Sequence, residues 1–185
     1  MSELASPEQL RASLLRWWLF LGPLVLLLGF VSGAVSGSGA GNPWFMGLTK
    51  PSLYPPPATF GIVWSLLYLV MGLALAMVVT ARGAPGRALA VGLFVLQLLL
   101  NLAWSPLFFA MHQISFALYL LVALDLAVVL CLAAFWKVRP LAALLLVPYL
   151  AWCLFATALN WQFLAANPDA DGAEVSGAAA TVDFN

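Results

Sequence analysis

Five long apolar runs dominate this 185-residue chain and leave few alternatives for its fold. They cover residues 17–35, 58–81, 86–109, 113–136 and 141–165, and each is near the ~20 residues that cross a bilayer as a helix. Only 8% of the residues are charged, against roughly 25% in an ordinary soluble domain. The sequence therefore predicts an all-α integral membrane protein that forms a single five-transmembrane-helix bundle.

Short segments connect and flank these runs. Residues 1–16 contain two glutamates and two arginines and predict a short amphipathic lead-in. The first run is longer than the roughly 7–15 residues of a signal-peptide core, so we assign it as a membrane helix. Brief connections at 82–85 and 137–140 predict antiparallel neighbours. The tail, residues 166–185, is small, polar and acidic, and we expect it to be disordered.

The loop at residues 36–57 is the one long segment between runs, and it contains a stretch rich in proline and aromatic residues from Asn42 to Pro57. Its prolines prevent a continuous helix, because proline lacks a backbone N–H and restricts the residue before it. Aromatic side chains such as Trp44 and Tyr54 would be costly to leave in water. We therefore predict that this loop folds back over the mouth of the bundle as a lid.

Basic residues predict the orientation in the membrane, because cytoplasmic segments carry an excess of lysine and arginine. With five spans, the lid and the C-terminus lie on the side opposite the N-terminus, and the lid side holds only Lys50. We therefore expect a cytoplasmic N-terminus, in a bacterial cell membrane. The basic residues on the N-terminal side are Arg11, Arg16, Arg82, Arg87, Lys137 and Arg139.

Three of the runs carry aromatic and polar side chains at helical spacing, so that each set lies along one face. Aromatic stripes of this kind usually pack in a core, and that interpretation stays open for the tryptophans. The asparagines favour a pocket, because polar side chains within a membrane need partners and often mark functional sites. The residues are Phe60, Trp64, Tyr68 and Met71, then Gln97, Asn101, Trp104 and Phe108, then Tyr149, Trp152, Ala156 and Asn160.

Other single residues predict structure rather than chemistry. Gly29 and Gly33 form a small-xxx-small pair, which predicts close packing of another helix. An ionised Asp125 in mid-span would cost roughly 2.5–3.5 kcal/mol, so we expect a neutral carboxyl joining two helices, with a proton relay as the alternative. We expect His112 to be an exposed interfacial residue and not a metal ligand.

Several function classes are disfavoured by what the sequence lacks. It contains no Ser-His-Asp arrangement, no paired acid and base carboxylates and no metal-ligand cluster, so an aqueous hydrolase is not expected. The formal net charge is zero, which argues against a nucleic-acid partner.

Four motifs in chain order resemble the TspO/MBR family, which includes tryptophan-rich sensory proteins, translocator proteins and homologues of the peripheral-type benzodiazepine receptor. Together they cover nearly all of the chain from the first run to the fifth. They are W-F-x-x-L-x-K-P-x-x-x-P-P at 44–56, F-G-x-V-W-x-x-L-Y at 60–68, N-x-x-W-x-P-x-F-F at 101–109 and P-Y-L-x-W-x-x-F-A-x-x-L-N at 148–160.

This resemblance implies a bundle that binds porphyrins such as protoporphyrin IX, and other apolar molecules or lipids, under the first loop, commonly as a homodimer. The porphyrin would be the ligand and no further cofactor is required. The residues themselves predict no metal site, because no histidine, cysteine or methionine is placed as an axial ligand for a haem iron. In some family members the tryptophans matching Trp64 and Trp152 are implicated in light-dependent porphyrin breakdown. The lid and the stripes together supply the expected ligand-binding residues, which are Trp44, Phe45, Trp64, Asn101, Trp104, Phe108, Trp152 and Ala156.

Two departures from the family pattern affect the expected ligands. The position after Trp44 is often tyrosine and here is Phe45, and no cholesterol-type pattern occurs near the end of the fifth run. Sterol binding of the animal kind is therefore not expected. Three functions stay open: a receptor or transporter-like protein that binds porphyrins and regulates tetrapyrrole levels or a stress response, an enzyme that degrades bound porphyrin by photo-oxidation, and a non-catalytic membrane scaffold. We favour the first.

Overall fold

A computed structural model describes residues 6–173 and confirms the all-α, five-span architecture. A short helix within the lid precedes the second span, and a π-helical turn, Pro106–Ala110, extends the third. The helices are α1 (Pro7–Val35), α2 (Pro43–Gly47), α3 (Pro57–Val79), α4 (Arg87–Ser105), α5 (Ile114–Val138) and α6 (Pro140–Ala166). The chain is therefore a multi-pass membrane protein whose successive spans run antiparallel.

The first helix begins earlier than the sequence predicted. Ser6 and Gln9 form a reciprocal capping box in which each side chain accepts a hydrogen bond from the other residue's backbone N–H. Pro7 follows at the first helical position, where a missing N–H has no cost. Residues 7–16 thus form the first turns of α1, which begins ten residues before the expected start at residue 17.

The spans α1 and α3 approach closely where a glycine of each helix faces the other. A Cβ added to Gly72 would lie 2.4 Å from the Cα of Gly22. The Gly29 and Gly33 pair, which predicted such a crossing, lies farther along α1, where Gly29 faces the ring of Tyr68 instead. Small residues do bring α1 and α3 together, but at a different position from the one that the motif indicated.

The end of α4 widens into the π-helical turn at Pro106–Ala110. Pro106 has no N–H to donate to the preceding turn, and the N–H of Met111 reaches back five residues to the Pro106 carbonyl at 2.9 Å. The wider turn lets two consecutive side chains, Phe108 and Phe109, both be buried. In a regular α-helix, neighbouring side chains point about 100° apart around the axis, which is a larger angle than in the wider π turn.

The chain after α6 remains ordered as far as the structure describes it, in contrast to the disorder expected from residue 166. Residues 168–170 form a 3₁₀ turn, and Asn167 and Asp171 make hydrogen bonds to distant parts of the chain. These contacts place the lid, the α4–α5 turn and the end of α6 at the same end of the bundle. The rest of the predicted tail, residues 174–185, lies outside the described residues.

Candidate ligand-binding cavity

A cavity of about 450 Å³ lies between the five spans and beneath the lid. All five spanning helices contribute to its walls, and lid residues such as Phe45 and Tyr54 close it at one end. Most of its surface is aromatic or aliphatic. Among the predicted site residues, the lining contains Phe45, Trp64, Asn101, Trp104, Phe108, Trp152 and Ala156.

Trp44 is the predicted site residue that does not line the cavity. Its indole stacks on the His112 imidazole with ring centres 4.5 Å apart, and meets Phe108 edge-on at 5.5 Å. It therefore supports a cavity-lining ring from behind. His112 is half-buried in this stack with a left-handed φ of 56°, so the expectation of an exposed side chain is wrong.

The two tryptophans of the α3 and α6 stripes meet inside the bundle. The rings of Trp64 and Trp152 are nearly perpendicular, with centres 6.5 Å apart. Tyr68 stacks on Trp64 at 5.1 Å, and Phe60 meets Trp152 edge-on at 6.0 Å. Such edge-to-face and stacked contacts hold the rings in fixed orientations and give the cavity a rigid aromatic wall.

The lid is held by aromatic packing around Phe45, which is only 5% exposed. Its ring contacts Phe108, Phe109 and Phe163 at the ends of α4 and α6. The Lys50 ammonium donates hydrogen bonds to the carbonyls of Phe45 and Leu48, and it lies 4.3 Å from the centre of the Phe45 ring. These contacts fix the end of α2 and keep Phe45 over the cavity.

Partial burial of the lid also changes the protonation equilibria of its side chains. Loss of solvation lowers the pKa of Lys50 and raises the pKa of Tyr54. In both cases removal from water disfavours the charged form.

Both asparagines of the stripes find partners, as predicted. The Tyr68 hydroxyl donates to Asn101 Oδ1 at 2.9 Å, and Trp104 Nε1 donates to Asn160 Oδ1 at 3.1 Å. Asn160 Nδ2 in turn donates to the Ile114 carbonyl at 2.9 Å. The Trp152 indole N–H has no hydrogen-bond partner among residues 6–173, which leaves a donor on a residue that lines the cavity.

Asp125 lies outside the cavity lining and joins α5 to α6, as expected. The Thr157 hydroxyl oxygen lies 2.7 Å from Asp125 Oδ2 and 3.0 Å from the Cys153 carbonyl oxygen. One hydroxyl proton cannot serve both oxygens, so a protonated Asp125 would complete the pair by donating to Thr157. The contact between the helices is confirmed, and the neutral state of the carboxyl stays a prediction.

Some lining residues were missed by the sequence interpretation. The α5 wall comes from Leu121 and Leu124, which carry no signal beyond their hydrophobicity. The α1 wall includes Gly29 and Gly33, which were assigned to helix packing alone. A glycine that faces an aromatic stripe on the next span could have indicated this role, because it leaves room for a ring.

The lining chemistry suits binding of an apolar molecule. Its aromatic faces and few amide or hydroxyl groups match the usual composition of small-molecule sites, and its volume falls within the ~300–1,000 Å³ of such sites. No group of three or more histidine, cysteine, aspartate or glutamate side chains able to hold a metal ion occurs in the part of the chain that the structure describes.

Comparison with known proteins supports the family resemblance of the motifs that surround the cavity. The TspO/MBR family model matches residues 21–165 of the chain. This chain belongs to the TspO/MBR family. The match begins within α1 and ends within α6, so the family region includes most of α1, nearly all of α6, the three spans between them, the lid and the whole cavity lining. The resemblance drawn from the four motifs is thereby confirmed.

TspO/MBR relatives are found in animals and bacteria. The chain is 40% identical to the "Translocator protein" of Homo sapiens over 136 residues, which cover 72% of this chain and 80% of the human protein. It is 41% identical to the "Tryptophan-rich protein TspO" of Chlorobaculum tepidum over 147 residues, covering 78% and 92%. It is 35% identical to the "Tryptophan-rich sensory protein" of Cereibacter sphaeroides over 154 residues, covering 82% and 92%.

Proposed function

We propose that the cavity binds a tetrapyrrole such as protoporphyrin IX, and that the protein acts as a membrane receptor or transporter-like protein that regulates tetrapyrrole levels or a stress response. The aromatic wall built around Trp64 and Trp152 carries this proposal. A flat macrocycle offers broad apolar faces, and rigid aromatic rings can pack against them without losing much conformational freedom.

The surroundings of the cavity support an apolar ligand. The cavity lies among membrane-spanning helices, and the lid covers the end nearest the water with buried Phe45. The indole N–H of Trp152, which has no partner among the described residues, could donate a hydrogen bond to a polar edge of such a ligand. The names of the relatives, translocator and sensory protein, favour transport or sensing over a scaffold without a ligand.

A titration of the purified protein with protoporphyrin IX in the dark tests the proposal. We expect saturable quenching of tryptophan fluorescence and a matching shift of the ligand's absorption band. Trp64→Phe and Trp152→Phe should each bind about threefold to tenfold more weakly, because part of an aromatic contact is lost. The absorption band makes these variants comparable despite their different tryptophan content.

Trp136→Phe is the matched control, because Trp136 is 55% exposed on α5 and does not line the cavity. It should bind as tightly as the unaltered protein. Binding that does not saturate, or that responds equally to all three substitutions, would contradict the proposed site.

A photo-oxidative activity on the bound porphyrin is the second candidate, favoured by the two cavity-lining indoles that lie in mutual contact. Illumination of the same complex distinguishes it from binding alone. A new absorbing product that requires the protein and both Trp64 and Trp152 would establish an enzyme. An unchanged ligand spectrum would leave a receptor or transporter.

We also propose that the chain assembles as a homodimer, through α4. Ala88 and Gly92 lie on the exposed face of this helix, and a Cβ on Gly92 would meet nothing within 4 Å, so a second helix could approach closely. Light scattering in detergent should give the mass of a dimer, and Gly92→Leu should shift it toward the monomer. A monomer in the unaltered protein would refute this assembly.

A further inference from the structure

The segment that follows α6, residues 167–173, crosses the end of the bundle and reaches the lid. Its first contact is reciprocal. The Thr49 backbone N–H donates to Asn167 Oδ1 at 2.7 Å, and Asn167 Nδ2 donates to the Thr49 carbonyl at 3.0 Å. Asn167 Nδ2 also donates to the Phe163 carbonyl at 2.9 Å, so the side chain is anchored to the last turns of α6. This pair ties the middle of the lid to the end of the last span.

The second contact ties the segment to the start of α5. Asp171 Oδ1 accepts a hydrogen bond from the Ser115 backbone N–H at 3.0 Å, and Asp171 Oδ2 accepts one from the Ser115 hydroxyl. The residue at the start of this helix, Gln113, makes no capping hydrogen bond with its side chain. Asp171 therefore satisfies a backbone donor that the helix itself leaves free, and its charge is favourable at this helix end.

The third contact joins the segment to the lid through the α4–α5 turn. The Gly172 N–H donates to the His112 carbonyl at 2.9 Å, and His112 Nδ1 lies 3.1 Å from the Ala173 carbonyl oxygen, to which it donates. The same imidazole stacks on Trp44 of the lid. Lid, turn and segment thus form one connected set of contacts.

We propose that residues 167–173 act as a strap that holds the lid closed, with Asn167 and Asp171 as positioning residues that set the rate of ligand exchange. This proposal rests on the proposed function, because it concerns access to the same cavity. The lid's own attachments to the bundle are aromatic packing and a long hydrogen bond of 3.4 Å from Asn42 Nδ2 to the Phe109 carbonyl. The strap adds the reciprocal pair at Thr49, so the lid cannot lift until that pair separates.

The strap's effect on lid opening is measurable without a ligand. Hydrogen–deuterium exchange of residues 42–57 should be faster in Asn167→Ala and Asp171→Ala than in the unaltered protein, by about tenfold, because each substitution removes two or more hydrogen bonds of the strap. Asp169→Ala is the matched control. It is an exposed aspartate in the same strap with no hydrogen bond within the described residues, and its exchange should not change.

Ligand exchange is measured on the same proteins. Dissociation of protoporphyrin IX should be about tenfold faster in Asn167→Ala and Asp171→Ala and unchanged in Asp169→Ala. A role in fold stability alone would lower the melting temperature but leave the dissociation rate unchanged, and that result would overturn the proposal.

A covalent lock provides the opposite test. The Ser115→Cys/Asp171→Cys protein places two thiols where the side chains now touch, and the native Cys131 and Cys153 are buried. Oxidation should slow protoporphyrin IX dissociation below that of the unaltered protein, and reduction should reverse the effect. Equal rates in the oxidised and reduced proteins would overturn the proposal.

The two proposals fail separately. Faster lid deuteration in the strap variants, in a protein that binds no protoporphyrin IX, would support the strap and refute the proposed ligand. Normal protoporphyrin IX binding with unchanged lid deuteration and unchanged dissociation would refute the strap and leave the proposed function standing.

Discussion

Tyr68 occupies the space that Gly29 leaves open on the neighbouring helix, and a Cβ at Gly29 would lie 2.1 Å from its ring. The position of this tyrosine matters because its hydroxyl bonds Asn101 and its ring stacks on Trp64. One glycine on α1 thus fixes three side chains that line the cavity.

Gly29→Ala should therefore displace the Tyr68 ring and disturb the cavity wall. We expect a loss of roughly 1–3 kcal/mol in stability, as for overpacking elsewhere, together with weaker protoporphyrin IX binding. Thermal unfolding in detergent and the dark titration measure the two effects. Gly47→Ala is the control, since Gly47 is exposed, lies outside the cavity lining, and an added Cβ meets nothing there. Equal behaviour of the two variants would show that Tyr68 can adjust at no cost.

Gly72→Ala should lower stability without a direct effect on the cavity lining. Its Cβ would lie 2.4 Å from the Cα and 2.6 Å from the backbone nitrogen of Gly22. Backbone cannot rotate away as a side chain can, so α1 and α3 must separate, and we expect a cost at the upper end of roughly 1–3 kcal/mol or above. The melting temperature measures this. Gly61→Ala, at an open position of the same helix, should melt as the unaltered protein does.

Asp125→Asn should preserve stability to within about 0.5 kcal/mol if the carboxyl is neutral, because the amide has the same shape and can donate to Thr157. Asp125→Leu removes the contact between helices and should cost about 1 kcal/mol, typical of hydrogen bonds within membranes. Melting temperatures at pH 6 and pH 8 provide the measurement. A gap between the unaltered protein and Asp125→Asn that changes over this range would indicate an ionising carboxyl.

Accessibility labelling tests the predicted orientation. Lys50→Cys places a thiol on the lid, and Lys137→Cys places one at the opposite end of the bundle. In intact bacterial cells a membrane-impermeant maleimide should label Lys50→Cys, and should label Lys137→Cys only after the membrane is permeabilised. Cys131 and Cys153 are buried and should contribute little background. The reverse pattern would place the N-terminus outside.

Hydrophobicity was sufficient to predict the spans, because a membrane helix needs an apolar run of nearly fixed length. The errors lie where local chemistry overrides this signal. The capping box at Ser6 extends α1 through polar residues, and Pro106 widens the end of α4 into a π turn. Neither feature changes the number of spans, so the prediction of a five-helix bundle is still correct.

The cavity lining was predicted well where helical spacing or a motif marked it. Trp44 is an exception. The family motif that contains it lies in the lid, but its ring packs behind Phe108 and does not face the cavity. The strap shows another limit. Its composition is typical of disorder, and the contact of Asn167 with Thr49 joins residues 118 positions apart, which no local pattern can indicate.

The crossing at Gly22 and Gly72 has a consequence for how cargo can travel. Neither glycine lines the cavity. Between the cavity-lining Tyr68 and Gly72, the α3 residue Met71 is fully buried. The interlocked backbones of α1 and α3 thus lie beyond the cavity, on the side away from the lid. A molecule that moved from the cavity between α1 and α3 toward the opposite end of the bundle would require these two backbones to part.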